Sequence, residues 1–246
     1  MITLLLEVQK MWKQRGMIIS VLVLMLTACS TAPDSKESSA VQVEKKEGTH
    51  LDNQFITAAA KGDTETVVEL LGKGANIDAT DNQGNTAVMA ATQKNNVNMV
   101  KTLIEHGTDI NIRNHNLDNV LLYAGAAGYL EIVQLAVQAG ADTTLTNRYG
   151  GIAIIPASER GHVEVVEELV TNSDTNVNHI NNLHWTALLE AVILGDGGER
   201  HQKIVQLLVD HGADVNIADK DGVTPLEHAK RRGYKEIQQI LKEAGA

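Results

Sequence analysis

The stretch ADVNIADKDGVTPLEHAKRRGYKEIQQILKEAGA, residues 213–246, decides the fold because its parts recur up the chain. Its first seven residues, ADVNIAD (213–219), line up with ANIDATD (75–81), TDINIRN (108–114), ADTTLTN (141–147) and TNVNHIN (175–181). Each of the five ends in Asp or Asn: Asp81, Asn114, Asn147, Asn181 and Asp219, spaced by 33, 33, 34 and 38 residues. Self-similarity at such a period marks an array whose units bury their apolar faces only against their neighbours. Two helical patterns fill each interval. In the last unit they are DKDGVTPLEHAKRRG and YKEIQQILKEAG; in an earlier one, DNQGNTAVMAATQKNN and VNMVKTLIEHG.

Local preferences place the ends of these helices. Thr86, Thr186 and Thr224 are suited to N-cap the first helix of their units. Pro225 suits the first helical position, where no N–H is needed. Ala91, Ala157, Ala191 and Ala229 are small enough to let that helix approach its neighbours. The second helix repeats apolar residues at three-to-four spacing, as in Met99, Val100, Leu103, Ile104 and again in Ile204, Val205, Leu208, Val209. Gly74, Gly107, Gly140, Gly212 and Gly245 then stand where a left-handed residue ends a helix. The bulk composition agrees: 43% of residues are apolar but only 3% aromatic, which describes a core of Ala, Leu, Val and Ile.

These features resemble the ankyrin repeat. TPLEHA (224–229) is close to the family pattern Thr-Pro-Leu-His-x-Ala, and Gly161-His162 and Gly-Ala-Asp-x-Asn (212–216) match as well. The resemblance runs over roughly residues 48–246. It implies an all-α solenoid of about six helix-turn-helix repeats joined by β-hairpin-like loops, filling residues 50–246. The units start near 48, 81, 114, 147, 181 and 219. The outer ones carry polar substitutions where an end of the stack meets water: Gln238 and Lys242 in the last, Thr66 in the first. Other departures carry expectations of their own. Pro156 stands a full turn into its expected helix and should disturb it. Ser173 replaces the capping glycine of the fourth unit. About five extra residues, Asp196–His201, separate the helices of the fifth, and these read as an exposed, mobile loop.

The resemblance also implies where a protein partner binds: the hairpin tips and the exposed side of the first helices. Most tip residues are polar or small, as a solvated face requires. The fifth unit differs, with Leu183, Trp185, Ile193 and Leu194 beside Tyr149. An apolar cluster rimmed by charge marks an interaction surface, and Arg148, Arg160 and Arg231 supply the rim. Two arrangements of Trp185 are open: projecting at the centre of a binding face, or folded onto the five-residue insertion.

The amino-terminal residues read differently. MIISVLVLMLTA (17–28) is too short to span a bilayer as a helix, but it fits the apolar core of a secretory signal preceded by Lys13 and Arg15. Leu26-Thr27-Ala28-Cys29 resembles a bacterial lipobox. That resemblance implies a signal peptide over 1–28, cleavage before Cys29, and diacylglycerol on the sulfur of the chain's single cysteine. Two or three acyl chains, palmitate among them, hold a protein stably on a membrane. Residues 29–49 would then be a polar tether with a reach of about 25 Å. The expected location is the extracytoplasmic face of a cell membrane, with Ser30 favouring the outer membrane where a cell has two.

The remaining expectations are negative. Beyond residue 28 the chain has 18 basic and 30 acidic residues, a net −12, which repels nucleic acid. One cysteine makes neither an intrachain disulfide nor a cysteine-based zinc site. Most of the nine histidines fall at repeated structural positions, with no His-Glu-x-x-His, phosphate loop or nucleophile–base grouping. No metal, cofactor or catalytic residue is expected. The expectation is a monomeric membrane-anchored scaffold or regulator that binds an unidentified protein. An inhibitor or immunity factor for a secreted toxin or enzyme, or a small-ligand binder, are the alternatives.

Overall fold

The computed structural model describes residues 50–246. The signal segment, Cys29 and the 29–49 tether lie outside the described residues. Among the described residues, twelve α-helices form six pairs, one pair per repeat: α1 (50–61) with α2 (Thr64–Gly72), α3 (Ala87–Gln93) with α4 (Val97–Glu105), α5 (Val120–Ala127) with α6 (Leu130–Gln138), α7 (Ile154–Glu159) with α8 (Val163–Asn172), α9 (Ala187–Ile193) with α10 (Glu199–Asp210), and α11 (Pro225–Arg232) with α12 (Lys235–Glu243). The described residues contain no strand, only an isolated antiparallel bridge between Thr80 and Thr86. The architecture is the all-α repeat solenoid that the sequence implies.

From α3 onward, first helices pack on first helices and second helices on second helices, giving two rows around one continuous core. The first helices of the inner repeats are buried on nearly every side, and the alanines that let first helices approach, Ala91, Ala124, Ala157, Ala191 and Ala229, are all fully enclosed. Gly125 takes this furthest, since a Cβ there would sit 3.2 Å from the Cβ of Ala153 on the next repeat. The second helices bury a single stripe, Met99, Val100, Leu103 in α4 through Ile204, Val205, Leu208 in α10, as their spacing predicts.

The caps follow the sequence, with additions at Asp63, Asn96 and Asn119. Thr86, Thr186 and Thr224 accept hydrogen bonds from the N–H groups of Met89, Leu189 and Glu227, and Glu227 returns a capping-box bond to Thr224 N–H. Asn119 does the same for α5 through Leu122 N–H at 2.9 Å. The predicted terminal glycines all have positive φ, from 78° at Gly140 to 94° at Gly245.

One expectation holds and one needs correction. Pro156 costs its helix one opening hydrogen bond and distorts that turn, as its position predicts, but does not break the helix. In α3 the equivalent residue, Ala90, donates its N–H to the Thr86 carbonyl. In α7 the matching carbonyl, that of Ile152, receives Ile155 N–H at 3.1 Å instead. The helix thus opens with a tighter turn, begins at Ile154, and leaves Pro156 in its first turn, where its missing N–H is tolerated. The five-residue insertion is not loose. His201 is 8% exposed, with Nδ1 2.8 Å from Asp196 Oδ1 and Nε2 3.0 Å from the Glu159 carbonyl of the preceding repeat. Gln202 Nε2 donates to the Gly197 carbonyl, and the Tyr234 hydroxyl donates to the Gly195 carbonyl from the following repeat. The insertion is therefore tied into both neighbours. Ser173, standing in for a glycine, is extended at φ −135° and donates its hydroxyl to the Leu169 carbonyl.

Candidate functional site

The periodic Asx residues explain how the tips are held. In every repeat from the second to the sixth, the side-chain oxygen of the Asx residue accepts two backbone N–H groups, two and four residues on. Asp81 holds Gln83 and Asn85, Asn114 holds Asn116 and Asp118, and Asn147 holds Tyr149 and Gly151. Asn181 holds Leu183 and Trp185, and Asp219 holds Asp221 and Val223. An Asp or Asn is needed because only a short side chain ending in an acceptor can reach both. Tips of neighbouring repeats are also joined, by His115 N–H to the Gln83 carbonyl and Asn182 N–H to the Tyr149 carbonyl, each 3.0 Å. The tips are thereby a fixed platform.

On that platform, the tips of repeats three to five and helices α5, α7 and α9 enclose a groove of about 540 Å³. Its apolar rim is Tyr149, Leu183 and Leu194, which are 57%, 51% and 49% exposed. Arg148 and Arg160 line it as well. Five of the eight predicted residues therefore meet in one place. Trp185 and Ile193 are half-buried and Arg231 is exposed, but none of the three lines the groove. Trp185 thus falls between the two arrangements its sequence position allowed.

Both arginines are engaged. The Arg148 guanidinium lies 4.8 Å over the Tyr149 ring, with Nη1 3.4 Å from Asn116 Oδ1. Arg160 Nη1 donates to the Ala126 carbonyl across the repeat boundary. Acidic groups share the groove: Asp118, Glu159 and Glu190. Burial is the main influence on Asp118 and raises its pKa, against the opposing pull of Arg148.

Glu190 is the residue that sequence reasoning missed. It belongs to the first helix of the fifth repeat and is only 5% exposed. Its Oε1 accepts Asn181 Nδ2–H at 2.9 Å, while its Oε2 has no hydrogen-bond partner. Burial, then the nearby charge of Glu159, raise its pKa to about 7, against the lowering effect of Asn181. The equivalent residues in the second, third, fourth and sixth repeats are Ala90, Tyr123, Pro156 and His228. His228 in the last repeat also binds its Asx residue, with Nε2 2.8 Å from Asp219 Oδ2. The available signal was an acid within the otherwise apolar ALLEAVI (187–193), nine residues after an Asx anchor.

A second groove of similar volume lies among the connections between first and second helices, lined by Leu130, His162, Glu164, Arg200 and Lys203. It contains none of the unpartnered buried side-chain atoms found among the described residues. No group of three His, Cys, Asp or Glu residues among the described residues could hold a metal ion, and none of the described helices is long and apolar enough to cross a membrane.

A family model for ankyrin repeats matches residues 55–147, 121–219 and 154–246. The crystal structure of an ankyrin repeat domain from Acinetobacter baumannii AYE is 52% identical, covers 78% of this chain and 97% of that one, and superposes with a TM-score of 0.76. The ankyrin repeat protein EF0377 is 38% identical over 78% of this chain and 98% of its own, with a TM-score of 0.75. The putative ankyrin repeat protein YahD of Escherichia coli (strain K12) is 52% identical over 80 residues, 32% of this chain and 40% of YahD. The matched segment thus spans well under two thirds of that relative's length.

Proposed function

This chain belongs to the ankyrin-repeat family, and from that premise we propose that it binds another protein across the groove of repeats three to five. The observation that carries the reading is the rim of Tyr149, Leu183 and Leu194, three large apolar side chains each about half exposed on a surface fixed by Asx anchors. Exposed apolar groups gathered around a concavity, with arginine and tyrosine among them, are the composition of a binding hot spot. Catalysis asks for converging reactive groups; this reading assigns a binding role only.

The proposal extends to location. Lipid on Cys29 would hold the protein at the extracytoplasmic face of a membrane, and the polar tether would let the array raise its partner's local concentration there as a scaffold or regulator. The lipobox-like Leu26-Thr27-Ala28-Cys29 and the apolar run before it support this part.

Crosslinking in intact cells, followed by isolation and mass spectrometry, tests the binding role. Wild type is compared with a Tyr149→Ala/Leu183→Ala variant of equal abundance. A partner present with wild type and lost with the variant is the expected result; equal capture by both removes the groove as the site. Cys29→Ser tests the anchor. The variant is expected in the soluble fraction without incorporated palmitate, and persistence in the membrane fraction would discard lipidation at that residue.

A further inference from the structure

Glu190 presents an unsolved local problem. A carboxyl group on a residue only 5% exposed needs partners for both oxygens, yet only Oε1 has one, Asn181. The two arginines of the groove could have supplied the second partner, but Arg148 is turned to Tyr149 and Asn116, and Arg160 to the Ala126 carbonyl. Glu159, on the neighbouring first helix, adds a second negative group, and Asp118 a third. The floor of the groove therefore has one acceptor to spare and a surplus of carboxyl groups.

Building on the reading of this groove as the binding face, we propose that it is a socket for one basic side chain, Lys or Arg, on the surface of the partner protein. The cationic head binds Glu190 Oε2 and faces Glu159; the methylene stem lies along Tyr149, Leu183 and Leu194. The chemistry selects this occupant over the alternatives. A neutral amide would satisfy Oε2 but leave the Glu190–Glu159 repulsion in place. A free metal ion would gain nothing from the apolar rim. A long basic side chain uses both features, since its stem is apolar and only its tip is charged. Oε2 is itself enclosed in this structure, so the Glu190 side chain turns about its aliphatic torsions to present it to the basic head, with the backbone unmoved. The net −12 of the chain beyond residue 28 draws cationic partners toward it as well.

The test is peptide selection on the full chain held in detergent micelles. A display library of random dodecapeptides is selected against wild type, and binders are measured against wild type, Glu190→Gln and Tyr149→Ala/Leu183→Ala. The amide introduced by Glu190→Gln keeps an oxygen for Asn181 and turns a donor toward the groove, so the fold should survive; a cooperative thermal melt confirms this. Selected peptides are expected to share a Lys or Arg whose replacement by norleucine weakens binding about 30-fold or more, with Glu190→Gln having a similar effect. Peptides that bind wild type and Glu190→Gln alike, but are lost with Tyr149→Ala/Leu183→Ala, overturn the basic socket and leave the binding face standing. Peptides indifferent to both variants, or no binders at all, overturn both.

Discussion

Single side chains set the chemistry of this array, and Glu190 sets most of it. Its ordinary pKa of 4.5 is raised to about 7 in the folded protein. Between those values the folded state binds more protons than the unfolded chain, so the contribution of Glu190 to stability falls as pH rises through this window. Glu190→Gln removes the titration. Its melting temperature is expected to match wild type near pH 4.5 and to exceed it at pH 8.5, by stability on the order of 2–3 kcal/mol. Identical pH profiles for the two proteins would show that the carboxyl is already satisfied. Leu117 and His184 give a second prediction. Both occupy the tip position held by Gly84, Gly150 and Gly222, and both have φ of 64°. A left-handed backbone costs a residue with a Cβ about 1–2 kcal/mol. Leu117→Gly, at an exposed site, is therefore expected to raise stability by about 0.5–1 kcal/mol in urea unfolding; a loss would mean that the leucine packs on its neighbours. Neither residue was conspicuous in the sequence. Periodicity reveals what recurs, whereas Glu190 matters through Asn181 and Glu159, which approach it only after folding.

Whole elements were more legible, because their ends depend on neighbours in sequence. Three threonine caps, five terminal glycines and the apolar stripes of α4, α6, α8 and α10 stand where local chemistry put them. The misread element is the insertion, whose conformation depends on contacts from other repeats. Polar, glycine-rich residues between helices read as loose, and nothing within Asp196–His201 announces that Glu159 and Tyr234 will reach it. Those contacts make a prediction about the insertion. His201→Leu deletes the links to Asp196 and the Glu159 carbonyl while keeping side-chain volume. It is expected to lower stability by about 1–2 kcal/mol and to speed amide hydrogen exchange in the 195–198 segment. Unchanged exchange there would show that Tyr234 and Gln202 hold the insertion alone. The groove was legible in part for the same reason: Arg148, Tyr149 and Leu183 sit on tips whose direction the Asx anchors dictate, but which helix-end residues join them depends on how consecutive repeats are offset.

Among the described residues, the main helix contacts from α3 onward join adjacent repeats, so little averages out a local weakness. Stability in such a stack is a sum of repeat and interface terms, so equal damage has unequal reach. Leu169 in α8 and Leu241 in α12 are both fully buried leucines, and replacing either with alanine removes the same atoms at a cost of about 2–5 kcal/mol. Leu169 lies in the fourth of six repeats, with neighbours on both sides. Loosening it weakens the repeat that carries Tyr149 and its interface with the one that carries Leu183, and with them the groove. Leu241 lies in the last repeat, whose loss leaves repeats three to five still stacked. Hydrogen exchange followed by peptide is expected to show Leu169→Ala raising exchange across repeats three to five and abolishing partner or peptide binding. Leu241→Ala is expected to raise exchange only from about residue 219 onward, with binding intact. Uniform acceleration along the domain in both variants would mean that the array unfolds as one cooperative unit, and that the binding face draws its rigidity from all six repeats instead of the three that form it.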